Sequence, residues 1–254
     1  MLDGIKAFVK GVINRMFPAK NVEQALKIET CISSMMQTRI ELWQRMYSGM
    51  APWCKGYVKS LRKEQGICTE FANICLDEME SNISVEELDQ IYKMATRDLN
   101  ENLQSGLALG ALIIKPLGGD KVEYVTADRF VPIAYDERER LIDVVFVENQ
   151  KRGEDYYHRL ERHSLRDNIL TITNNAYISK SEDDIGREIP LSSIDEWKNL
   201  PATISYAGLE KPDFGYYRNP IKNEIDRSPC GVSIFESGID QLESVDVQNA
   251  RLKW

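Results

Sequence analysis

The apolar residues of this chain change their period at Gly106. Before it they recur every three or four residues, the spacing that puts side chains on one stripe of a helix. After it they come in short β-branched and aromatic runs cut by Gly, Pro, Asn and Asp, the pattern of strands and turns. Helices first and strands after is the order of an α+β fold. The expectation is N-terminal helices packed on an antiparallel or mixed β-sheet of short strands, closed by a final helix.

The helical half divides by its stripes and stop signals. Ile5, Phe8, Val9, Val12, Ile13 and Met16 form one apolar stripe that Pro18 ends, with Lys6, Lys10 and Arg15 off it. Asn21 reads as the cap of a second helix carrying Ile28, Ile32, Met35, Met36, Ile40, Trp43 and Tyr47, its methionine pair read as core filling, stopped by Gly49 and Pro52. A third runs from about Leu61 to Met79, with Ile67, Phe71, Ile74, Cys75 and Met79 on one face. Ser84-Val85-Glu86-Glu87 reads as a capping box, opening a helix that buries Leu88, Ile91, Ala95, Leu99 and Leu103.

The strand half opens with a run from Leu107 to Leu117. Gly118-Gly119 then signals a hairpin, since both can take the positive φ of a primed turn. Val122 to Thr126, Phe130 to Tyr135, Leu141 to Glu148, Tyr156 to His163 and Asn168 to Ile178 follow as a meander, with Asn174-Asn175 as a candidate bulge. A short helix is expected over Ser192 to Trp197. Residues 201–231 are extended and broken by prolines, and Ser233 to Trp254 returns to a helical period. The divisions are an amphipathic arm (1–20), a helical part (21–106), a β-rich part (107–218) and a Pro/Gly turn with the start of a last helix (219–254). Proline fixes φ and glycine frees it, so Pro229-Cys230-Gly231 predicts a sharp change of direction before Ser233 and Phe235.

Composition narrows the function classes. The chain has 254 residues, 43% of them hydrophobic, which excludes disorder and suits one or two domains. Its longest apolar run, Leu107 to Ile114, is far short of the ~20 residues that span a bilayer. The net charge is −8, yet residues 1–60 carry nine Lys/Arg against four Asp/Glu. An acidic body argues against DNA gripping, which relies on Lys and Arg at phosphates. Five cysteines at irregular spacing read as reduced thiols.

Chemistry-bearing constellations are sparse. His158 and His163 stand five apart, which on a strand points them to opposite faces and argues against a shared metal. Cys68 and Cys75 read as small buried residues. Glu182-Asp183-Asp184 reads as a solvated acidic loop. There is no Gly-x-Ser-x-Gly elbow, no phosphate-binding glycine loop and no Cys/His pair at a known spacing. No catalytic residue, cofactor or metal is expected.

The order of several local signatures resembles the portal proteins of tailed bacteriophages, of the type found in siphophages of Gram-positive hosts. The resemblance is carried by Trp43 and Tyr47-Ser48-Gly49, by the run from Ile67 to Glu78, by Leu107-Ala108-Leu109-Gly110 and by Thr126 through Ile133. Its most specific part is Tyr216 through Asn223, Ser228 through Phe235, Ile239-Asp240-Gln241-Leu242 and Asp246. It covers nearly the whole chain from about residue 20.

The resemblance implies a non-catalytic wing region of a homo-oligomeric ring, a dodecamer in the family, at one vertex of a virion assembled in the host cytoplasm. Its implied partners are copies of itself, the major capsid or scaffolding protein, the terminase and the head–tail connector proteins. Double-stranded DNA would pass through without sequence-specific binding, and no membrane is involved. Portals continue into a stem, clip and crown, so the expectation is a chain cut before the stem. Ile5, Phe8, Val12 and Met16 are the candidate contact with a neighbouring subunit or the capsid. Pro229, Gly231, Ser233 and Phe235 are the candidate wing-to-stem turn. Rival readings are a structural or adaptor protein unrelated to phage, binding a partner through its helical half, and a hydrolase with an unrecognised site.

Overall fold

The computed structural model describes residues 17–119 and 121–253. The arm stripe Ile5, Phe8, Val12 and Met16 lies outside the described residues. The helical half is α1 (Ala19–Leu26), α2 (Ser34–Tyr47), α3 (Lys63–Leu76), α4 (Glu86–Thr96) and α5 (Leu99–Leu109). Nine strands follow: β1 (Ala111–Gly118), β2 (Lys121–Thr126), β3 (Phe130–Tyr135), β4 (Leu141–Arg152), β5 (Asp155–Arg166), β6 (Ile169–Ser179), β7 (Arg187–Ile189), β8 (Thr203–Ala207) and β9 (Gly215–Arg218). The chain ends in α6 (Ile239–Leu252).

The fold is α+β, with every strand pair antiparallel. The strands form two sheets. One has the order β2-β1-β9; the other runs β3-β4-β5-β6-β7, with β8 also paired to β6. The central strands are longer than their sequence runs suggested: β4 and β5 have 12 residues each and β6 has 11. One large apolar core joins the layers, from Val22, Met36 and Trp43 through Leu107 and Ile113 to Val144, Leu160 and Phe235, and a smaller one gathers Ala176, Ile194 and Trp197.

Four helix boundaries differ from the sequence expectation, each for a local reason. The expected helix from Asn21 is two helices. Lys27 takes a left-handed φ of 54° and ends α1. Thr30 gives its hydroxyl (2.8 Å) to Glu23, and the Ser33 hydroxyl accepts from the Met36 N–H (3.0 Å) to cap α2. The capping box at Ser84 does not form. Val85 holds the cap position, and Asp89 instead takes the Ile83 N–H at 2.9 Å. The helix expected to run on to Leu103 breaks at Arg97 and Asp98. Leu107 to Leu109 form the last turn of α5, which Gly110 ends at φ 92°. Gly106 sits inside that helix, where its missing Cβ admits Leu112.

The strand half follows its turn signals closely. Gly118 and Gly119 both have positive φ, and the β1–β2 ladder closes at Gly118 and Lys121. Gly153 turns β4 into β5. Asp167 and Asn168, at φ 51° and 60°, turn β5 into β6. The β5–β6 register runs unbroken through Asn174 and Asn175, so neither marks a bulge. Ser192 to Trp197 is a 3-10 turn at Leu191–Ser193 followed by turns, not an α-helix.

Candidate functional site

The Pro229–Phe235 segment is the most heavily keyed part of the molecule. Residues 225–235 hold no helix or strand, and a 3-10 turn at Glu236–Gly238 leads into α6. The backbones of Gly110 and Gly231 touch. A Cβ on Gly231 would sit 2.0 Å from the Gly110 carbonyl oxygen, and one on Gly110 would sit 2.4 Å from the Gly231 oxygen. Gly231 therefore serves close approach, and its φ is not left-handed. Buried Asn219 spans the crossing: its Nδ2 donates to the carbonyls of Leu107 and Val232, both at 2.8 Å. The Ile234 N–H also donates to the Leu107 carbonyl (3.1 Å), and Arg218 Nη1 to the Pro229 carbonyl (2.8 Å). Cys230, Val232, Ser233 and Phe235 are buried.

Two carboxylates fasten the start and body of α6 to the helical half. Glu236 accepts from the Trp43 indole N–H at 2.6 Å and pairs with Arg39. Asp246, only 3% exposed, accepts from the Trp53 indole at 2.9 Å and the Leu61 N–H at 2.8 Å. Burial, with the charge of Asp246 adding to it, pushes the nearby Glu64 carboxyl up from its ordinary range. Sequence reading had selected Asp246 only within the resemblance, because a lone Asp in a helix carries no signal until its partners are placed.

A buried ionic seam lies between the two sheets. Lys115 of β1 reaches Glu123 (3.1 Å) on β2 and Glu161 (3.2 Å) on β5, with its Nζ 4.7 Å from the centre of the Phe146 ring. His163 is held between Glu161 (2.7 Å) and Asp213 (2.8 Å). Burial alone would raise the Glu161 carboxyl; the His163 hydrogen bond and the charges of Lys115 and Arg159 outweigh it and hold the group at about 2. Burial would lower His163, but its two carboxylate partners raise it. His158 faces away from this seam, stacked on Phe17 and bonded to Asn149 (2.8 Å) and Ser179 (3.1 Å), and its burial lowers it. The two histidines thus lie on separate sides of β5, as their spacing predicts. These groups satisfy one another, with Lys115 and His163 buried and Glu123 and Asp213 at the partly exposed edges of the seam.

Thiol chemistry is suppressed. Burial raises Cys31, Cys54 and Cys230, and pushes Cys68 up to about 12, leaving little thiolate for attack. Cys75, expected inside, is exposed. In the Glu182–Asp184 loop the Asp183 carbonyl accepts from Asn21 Nδ2 at 2.6 Å, and Asp184 takes the Gly186 N–H at 3.3 Å. No group of three or more His, Cys, Asp or Glu among the described residues is placed to hold a metal ion.

The α4 stripe expected inside is instead exposed, and so is much of the apolar stripe of α3. α3 turns Glu64, Cys68 and Ala72 inward, because small side chains let it close on α5, where Thr69 bonds Gln104 at 2.9 Å. Phe71 and Ile74 point out, 50% and 74% exposed. α4 buries none of its residues, and Leu88 is 51% exposed. An open groove lined by Ile74, Leu76, Met79 and Leu99 separates the end of α3 from the α4–α5 joint. The candidate site is therefore this exposed face of α3 and α4, with a well-keyed body behind it.

No protein-family model matches the chain, and no curated protein is significantly similar to it. No helix of the described residues is long and apolar enough to cross a membrane.

Proposed function

We propose that this chain is a non-catalytic scaffold subunit of a phage portal, working in the virion as one member of a ring at the vertex through which DNA passes. The observation that carries the reading is the pairing of a tightly keyed interior with the large exposed apolar face of α3 and α4. Soluble monomers seldom leave such a face open, and a subunit of a larger assembly must. The order of motifs that resembles portal proteins gives the assembly its class. The partners proposed are copies of itself, the capsid or scaffolding protein, and the terminase and connector proteins. An acidic body, at −8, suits a wall past which DNA slides without sticking.

Immunogold labelling tests it. Antibodies to the purified chain should mark particles from the host that encodes it at the single vertex where the tail joins. Label over the whole shell, or none on particles, would falsify the portal reading. A soluble adaptor that binds another protein through its helical half is the second reading, favoured by the same open face; recovery of the chain only outside particles would select it.

A further inference from the structure

We infer that the exposed face of α3 and α4 is the dock for residues 1–16 of a second copy of this chain. The face is apolar along its middle: Phe71, Ile74 and Met79 on and just after α3, and Leu88, Ile91 and Met94 at successive third positions of α4, are all exposed. Its surroundings are acidic. Residues 70–101 carry nine Asp and Glu against Lys93 and Arg97 alone. Both cations already have partners, Lys93 with Asp89 at 2.6 Å and Arg97 with Asp98 at 3.3 Å. The surface therefore asks for an apolar stripe flanked by positive charge.

Residues 1–16 have that pattern. Their apolar positions, Ile5, Phe8, Val9, Val12, Ile13 and Met16, share one helical stripe, and Lys6, Lys10 and Arg15 lie off it with Asp3 as the only acid. At helical rise the stripe from Ile5 to Met16 spans about 16 Å, close to the about 15 Å of α4. Nothing elsewhere in the chain combines this stripe with this charge.

The contact joins copies. The chain enters its described part at Phe17, which is buried against His158 in the middle of the six-stranded sheet. α4 stands against the other sheet, where the Tyr124 hydroxyl of β2 donates to the Ala95 carbonyl. Phe17, from which the arm continues, and the dock thus belong to different layers of one molecule, and the proposed contact runs from the arm of one copy to the dock of the next. Such a head-to-tail contact repeats from subunit to subunit and closes into a ring when the rotation permits. The inference rests on the ring reading for that sense of assembly.

Sedimentation of the intact chain and two variants tests it. One variant lacks residues 1–16; the other carries Leu88→Glu with Ile91→Glu, at positions already exposed. The intact chain should associate with rising concentration, and each variant should stay monomeric. Mixed together, the variants keep one good arm and one good dock, so they should form one-to-one dimers and nothing larger. Phe8→Glu with Val12→Glu repeats the loss of the arm without shortening the chain. An intact chain that is monomeric up to about 1 mM, where even weak contacts show, overturns the inference. So does association of the shortened variant, or a mixture that stays monomeric. Particles labelled at one vertex by a chain that fails these tests would keep the portal reading and remove this contact.

Discussion

Replacing Lys115 by Met takes one positive charge out of the seam between the two sheets and leaves two carboxylates facing the gap. The lysine is 2% exposed and lies within 3.1–3.3 Å of oxygens on Glu123 and Glu161. Removing one partner of a buried ion pair costs about 3–5 kcal/mol, because the remaining charge is stranded away from water. Here the lower end applies. Arg159 still holds Glu161 at 2.7 Å and Arg129 still holds Glu123 at 2.6 Å, while Met fills the volume of the lysine stem. A loss of about 3 kcal/mol in a domain of this size lowers Tm by about 6–12 °C. Thermal and urea unfolding followed by circular dichroism reads both quantities. Adding Glu161→Gln removes one stranded charge, so the double variant should lose about 1–3 kcal/mol less than the sum of the single losses. A single-variant loss below about 1 kcal/mol, or strict additivity in the pair, would show that the seam is solvated and not a dry tie.

Three further outcomes follow from other parts of the molecule. Glu161 is held at about 2 against an ordinary 4.5, so its contribution is full above pH 4.5 and is lost as pH falls toward 2. His163 is raised above 6.5, so its contribution is full below pH 6.5 and is lost as pH climbs through its folded value. His158, lowered by burial, acts the other way, its contribution full above pH 6.5 and lost as pH falls, so the test compares the intact chain with His163→Gln: their urea midpoints should stand furthest apart below about pH 6.5 and converge as pH rises, and a gap that widens above pH 8 contradicts this. Gly231→Ala drives a methyl into the Gly110 carbonyl and should cost at least about 2 kcal/mol, where Gly66→Ala, beside open space and without a left-handed φ, should cost less than half as much in the same unfolding assay. Asp246→Ala strands the Trp53 indole and the Leu61 N–H and should cost about 3 kcal/mol, with the Leu61 amide losing its protection in hydrogen exchange while amides of β5 keep theirs.

The sheet was legible from sequence because its signals are local. Gly118, Gly119 and Gly153 announce their turns by needing positive φ, and alternating apolar residues set the strands between them. Asp167 and Asn168 do the same work with ordinary residues, and no glycine marked them. The helical half was harder, because a stripe says that a face is apolar and not that it is buried. On α3 the larger side chains lost the interior to Cys68 and Ala72, which allow closer packing on α5. On α4 a clear stripe leaves Leu88, Ile91 and Met94 exposed, and the last turn alone meets β2. The keyed junction was half legible. Pro229 and Gly231 stood out as local oddities, but the partner that explains Gly231 is Gly110, over a hundred residues away. Asn219, Glu236 and Asp246 gave no local sign of their roles as clamps.

The pairing of β9 with β1 has a consequence for the newborn chain. β1 gains one neighbour at once, since β2 follows it through a tight turn. Its other edge waits for residues 215–218, which pair with Ala111 to Ile114. About a hundred residues intervene, so at 5–20 residues per second the ribosome leaves that edge bare for about 5–20 s. Everything from β3 to β8 is made during the wait, as an insertion within the smaller sheet. Until β9 arrives, an unpaired edge beside the apolar Leu112 and Ile113 is an invitation to the same strand of another nascent chain.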